Sequence, residues 1–197
     1  MKATILVCSI VMMLTVVASA QRLPASVLEK AKLEYPSWME GTLEFTKEAG
    51  FRGAGEGMLI SLQRIAEGSP FWADIRITFD EVQDWSAYGA LSFYIKYPVP
   101  EDMLFTMPEV AFVESGGATY ISKGTGGMSA LTIEYVDDDW FVARASFTGV
   151  YRPGWSAPDD NDQLDLDQIK AVLIYPCVMY SAVERLVAYV DYVQLVP

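Results

Sequence analysis

The middle of the chain alternates apolar and polar residues with a period of two. In ADIRITFD (73–80), Ile75, Ile77 and Phe79 fall on one side and Asp74, Arg76 and Thr78 on the other. LSFYIKY (91–97) sets Leu91, Phe93, Ile95 and Tyr97 against Ser92, Tyr94 and Lys96. WFVARASFT (140–148) sets Phe141, Ala143, Ala145 and Phe147 against Val142, Arg144, Ser146 and Thr148. Successive side chains of a strand point to opposite faces, so each stretch predicts a strand with one face in a core. Further strands are expected at 41–47, 57–64, 109–115, 118–123, 129–136, 169–177 and 184–196, parted by turn sequences such as GFRGAGEG, YPVPED, ESGGA and RPGWSAPDDND. About ten short strands with Gly/Pro punctuation predict an all-β sandwich or barrel. Only LPASVLEKAKLEY (23–35) has a helical composition, as a short helix or a lead-in.

The first twenty residues differ from the rest. Lys2, an apolar run from Ala3 to Val17 and the exit Ala18-Ser19-Ala20 are the parts of a secretory signal peptide. The run is shorter than the roughly 20 residues that span a bilayer, so no membrane insertion is expected. Three segments follow: a signal peptide at 1–20, a lead-in at 21–40 and one sandwich domain at 41–197. Cys8 leaves with the signal, and Cys177, in AVLIYPCV, reads as a buried thiol.

Charge and composition then remove functions. The net charge is −12, which repels phosphate backbones and anionic lipid, so nucleic acid is a poor partner. The chain contains no histidine, which removes Ser-His-Asp and Cys-His catalysis and the usual zinc sites. Catalysis could rest only on paired carboxylates, as in glycoside hydrolysis. With 26 acidic residues such a pair has no specificity, and the chain is read as a non-enzyme.

Five segments in one order carry a resemblance: EFTKEAGFRGAGEGMLISL (44–62), FWADIRITFDEVQDWSAYGALSFYIKYP (71–98), DDDWFVARASF (137–147), LDLDQIKAVLIYP (164–176) and AYVDYVQLV (188–196). Together they resemble the galactose-binding-like jelly-roll modules of secreted carbohydrate-active enzymes, such as carbohydrate-binding module families 4 and 11. The resemblance implies a jelly-roll β-sandwich of two antiparallel sheets and a secreted, non-catalytic sugar-binding domain. It also implies a structural calcium at Asp191, the carboxylate in the last strand, with Glu44 or Glu34 as a second ligand. On the residues alone, Asp191 could instead face solvent or pair with Arg185 or Arg144. The acidic run DDNDQLDLD (159–167) lacks the glycine and distal Glu of an EF-hand loop and reads as solvated loop.

Sugars stack C–H faces on aromatic rings and hydrogen-bond planar polar groups. That chemistry nominates Tyr94, Lys96, Asp74 and Arg76 on polar strand faces, with Arg144 if its strand shares the sheet. Tyr151, Arg152 and Trp155 join them from the loop GVYRPGWSAPDDND (149–162). Trp85 and Tyr88 are expected to pack a turn, and Trp140 to plug the sandwich. The partner expected is a neutral or weakly charged glycan; a sandwich that holds another protein is the alternative.

Overall fold

A computed structural model describes residues 19–53, 55–67, 69–98, 108–122, 131–177 and 184–197; the side chain of Cys177 and nearly all of the signal segment lie outside the described residues. Two antiparallel sheets form a sandwich. The larger has the order β3 (Met39–Thr46), β4 (Gly57–Arg64), β12 (Arg185–Val196), β6 (Ala90–Lys96), β10 (Trp140–Ser146) and β9 (Leu131–Asp137), with β1 (Gln21–Arg22) paired to β12. The smaller has the order β2 (Lys32–Glu34), β5 (Ala73–Gln83), β11 (Ile169–Cys177), β7 (Glu109–Glu114) and β8 (Thr119–Ile121).

The predicted alternation holds. Ile75, Ile77, Leu91, Phe93, Ile95, Ala143 and Ala145 are each 0% exposed and meet between the sheets. Trp85 stacks on Phe147 there and meets Phe79 and Phe112 edge-on. Burying one such aromatic is worth roughly 1.5–3 kcal/mol, so this cluster anchors the two sheets to each other.

The lead-in is woven into both sheets. Gln21 and Arg22 pair with Leu195 and Gln194, and Lys32–Glu34 pair with Arg76, Ile75 and Asp74. The helical stretch shrinks to α1 (Ala25–Leu28), because Leu33 is drawn into the core as a strand residue. No helix among the described residues is long and apolar enough to cross a membrane.

Candidate functional site

Which strands share a sheet decides which nominated residues can act together. Asp74 and Arg76 lie on β5, on the outer face of the five-stranded sheet, since Ala73, Ile75 and Ile77 fill the core. Tyr94, Lys96 and Arg144 lie on β6 and β10, on the outer face of the seven-stranded sheet. The sandwich separates the two groups, so the set read as one face is two. Tyr151 pairs with Ile121 beyond β8, and the hydroxyl of Ser156 accepts from the Thr119 N–H, so the 151–157 loop runs along the free edge of the five-stranded sheet. Trp155 on that loop is 67% exposed, while Arg152 is held by Asp162 and the carbonyl of Ala157. Asp74, Arg76 and, by its pairing with Ile121, Tyr151 therefore go with the five-stranded sheet, and Arg152 and Trp155 follow in the loop at its edge.

The other side is already capped. The Gly-rich loop after β3 folds over the seven-stranded sheet, and Phe51 stacks on Tyr94 with ring centroids 3.9 Å apart. Gly57 permits this fold-back: a Cβ there would lie 2.0 Å from the carbonyl oxygen of Ala49. Trp140 sits in the same cluster, edge-on to Phe51. Its register opposite Lys96 places it on the outer face and not between the sheets, which corrects its expected role as the plug. Lys96 donates to the carbonyl of Asp138 at 2.6 Å, and Arg144 remains exposed.

Asp191 is buried beneath that cap, at 2% exposure. A bulge in β12 between Asp191 and Gln194, with Tyr192 at φ 56°, turns its carboxylate toward the N-terminal strand. Oδ1 accepts from Arg22 at 2.7 Å and from the Tyr192 N–H at 2.6 Å; Oδ2 accepts from the Phe51 N–H at 2.9 Å. Arg22 also lies 4.1 Å from the centroid of the Tyr192 ring. These residues do not fit the calcium site expected here. A guanidinium provides the positive charge, two backbone N–H groups also donate to the carboxylate, and Glu44 is exposed on β3 opposite Leu59. The partner is neither Arg185 nor Arg144 but a residue 169 positions away.

The five-stranded face has the opposite character. Asp74 is 3% exposed and its Oδ1 has no hydrogen-bond partner among the described residues. Arg76 Nε lies 2.9 Å from Glu34 Oε2 in an ion pair on the same face. Burial, then the nearby Glu34 carboxylate, pushes the Asp74 carboxyl up to about 7, with Arg76 opposing. Tyr175 stands beside Asp74, in the bulged stretch between the Ile174–Ile75 and Cys177–Ala73 pairings. Burial, then Asp74, raises its phenol. Glu109 faces Tyr175 from β7. Sequence reasoning missed Tyr175 and Glu109 and weighed Glu34 only as a metal ligand. β11 is a central strand whose outer-face residues Leu173 and Ala171 are themselves buried, so no alternation marked Tyr175.

Among the described residues, the carboxylates close enough to share an ion are Asp159, Asp160 and Asp165, within 4.8 Å of one another. They lie in the loop after Trp155, and the hydroxyl of Tyr120 donates to Asp159.

No protein-family model and no curated protein matches the sequence. Solved structures resemble the fold. An exo-β-agarase aligns with 83% of this chain at a TM-score of 0.51 and 15% identity, and the chain spans only 23% of that enzyme. A family 30 carbohydrate-binding module of a cellulosomal cellulase from Clostridium thermocellum aligns over 91% of this chain and 90% of the module, at a TM-score of 0.49 and 12% identity. What the chain shares with the agarase is a fold. At such identity the likeness assigns no ligand and no role to any residue.

Proposed function

We propose that this protein is a secreted, non-catalytic carbohydrate-binding domain whose ligand lies on the outer face of the five-stranded sheet. The observation that carries the reading is Asp74 Oδ1 on β5, a buried acceptor with no hydrogen-bond partner among the described residues, beside the Arg76–Glu34 ion pair. A buried polar atom without a partner costs about 1–3 kcal/mol, so a donor from a ligand is the natural complement of this oxygen. Arg76 stands two residues along the same strand face, roughly 7 Å away along the backbone. Sugar hydroxyls donate to a carboxylate and accept from a guanidinium, which suits these neighbours. Tyr175 beside Asp74 offers an aromatic surface to the C–H face of the same ring.

Tyr151 pairs alongside β8 at the far edge of this sheet, several strand spacings of about 4.8 Å from β5, and the exposed Trp155 follows in the same loop. That reach suits a chain of sugar units and exceeds a single residue. The agarase and the cellulase module are carbohydrate-active or carbohydrate-binding by name, and this reading extends that chemistry to the present chain.

The test is retention of the purified protein on a panel of insoluble and soluble polysaccharides, with release by the free glycan. Asp74→Ala and Arg76→Met should each weaken binding about tenfold, the equivalent of one lost hydrogen bond to a charged group. Arg144→Ala, on the opposite sheet, should leave it unchanged. Retention on no glycan, or retention lost in Arg144→Ala and kept in the other two, overturns the reading.

A further inference from the structure

The charge on this face is uneven. At one level across four strands run Glu34 on β2, Asp74 on β5, Tyr175 on β11 and Glu109 on β7. The cations near them are Arg76, engaged by Glu34, and Lys32, exposed opposite Arg76 on β2. The three carboxylates do not gather into an ion-sharing cluster, which among the described residues forms only at Asp159, Asp160 and Asp165. A metal is therefore not the natural occupant, and the unmet oxygen of Asp74 calls for a hydrogen-bond donor.

Resting on the carbohydrate-binding reading, we infer that this face selects a glycan with free amino groups, one ammonium seated on the Asp74 carboxylate, over its neutral counterpart and against glycans carrying carboxylate or sulfate. A sugar hydroxyl supplies Asp74 with a neutral hydrogen bond and leaves its repulsion with Glu34 in place. An ammonium supplies a charge-assisted bond, roughly twice as strong, and offsets that repulsion at the same time. An anionic sugar brings a further negative charge beside Glu34, Asp74 and Glu109, onto a chain whose net charge is already −12. The global charge works in the same direction, concentrating cationic polymers at the surface before they dock.

Proton linkage follows from the same geometry. The groups that face Asp74 are Glu34 and Lys32 from β2, Arg76 from its own strand, Tyr175 from β11 and Glu109 from β7. With the free carboxyl titrating at about 7, part of the population is protonated at neutrality. An ammonium binds the ionised form, so binding expels the Asp74 proton, and more is expelled at pH 6 than at pH 8.

Titration calorimetry with an oligoglucosamine, its fully N-acetylated counterpart, a neutral glucose oligomer and a uronate oligomer of equal length tests this. Each is run on the native protein and on Asp74→Asn, in two buffers of different ionisation heat. The amino oligomer should bind about tenfold tighter than the N-acetylated one, with the uronate weakest. Asp74→Asn should bring the amino and N-acetylated forms together, still bind the neutral oligomer, and abolish the buffer dependence. Equal affinity of the native protein for the two forms, or a preference that survives in Asp74→Asn, overturns this inference alone. A protein that binds none of the four while retaining another polysaccharide overturns it as well. Binding to no glycan of any kind overturns the carbohydrate reading with it.

Discussion

Replacing Arg22 by Met tests how the N-terminal strand is held. The change keeps most of the side-chain volume and removes the charge that faces Asp191. Breaking a fully buried ion pair costs about 3–5 kcal/mol, because the remaining charge is left uncompensated. Here the Arg22 side chain is 38% exposed while Asp191 is 2% exposed, so water recovers part of the loss. The Phe51 and Tyr192 N–H groups stay on the carboxylate, and the contact with the Tyr192 ring is lost. A cost of about 2 kcal/mol remains, which lowers the thermal midpoint by roughly 4–8 °C for a domain of this size. The assay is thermal unfolding of the native chain, Arg22→Met, Asp191→Asn and the double variant, each with calcium and with EDTA. The double-mutant cycle should return a coupling above about 1 kcal/mol, and neither calcium nor EDTA should move the native midpoint. A coupling near zero, or a native midpoint that falls in EDTA, would show that a metal and not Arg22 holds the last strand.

Two further outcomes are expected. Asp74 titrates at about 7 in the fold against 3.8 as a free group, so the folded state holds its proton more tightly. Its contribution is present below the lower value and lost as pH rises through the higher one, on the order of 4 kcal/mol in all. Asp74→Asn should therefore gain thermal stability over the native protein from pH 4 to about pH 7 and level off above it; a gain that is flat between pH 4 and pH 7 counts against a buried, proton-holding carboxyl. At the turn between β9 and β10, Asp138 and Asp139 both have positive φ, 46° and 65°, between the paired residues Asp137 and Trp140. That is the type I′ geometry that Asn-Gly prefers, so Asp138→Asn with Asp139→Gly should raise the thermal midpoint by about 2–4 °C. An unchanged or lowered midpoint in differential scanning calorimetry would refute it.

The strands were legible because alternation is local. Ile75, Ile77 and Phe79, or Leu91, Phe93 and Ile95, declare their buried side within a few residues, and each lies in the core. Sheet partnership is not local. Nothing in 73–80 or 91–97 states that β5 pairs with β11 and β6 with β10 and β12, so Asp74 and Tyr94 read as neighbours although the sandwich stands between them. Asp191 was conspicuous as a charge in an apolar strand, yet its burial depends on a bulge and on a residue near the other end of the chain, and neither leaves a mark in the surrounding sequence. Tyr175 was hidden for a different reason. In a central strand with buried residues on both faces, an outward-facing tyrosine has no polar neighbours to set it apart.

The pairing of β1 with β12 has a topological consequence. Gln21 lies opposite Leu195, about 5 Å away, and the Leu23 N–H donates to Val193 O at 2.9 Å. The polypeptide thus enters and leaves the sandwich through one doorway. A domain with that property can be spliced into a surface loop of a host protein, or circularly permuted by joining Pro197 to Gln21 through a few residues, without pulling its sheets apart. The doorway lies on the seven-stranded sheet, and the face proposed to hold sugar lies on the other. Whatever is attached at the ends lies on the sheet opposite that proposed face.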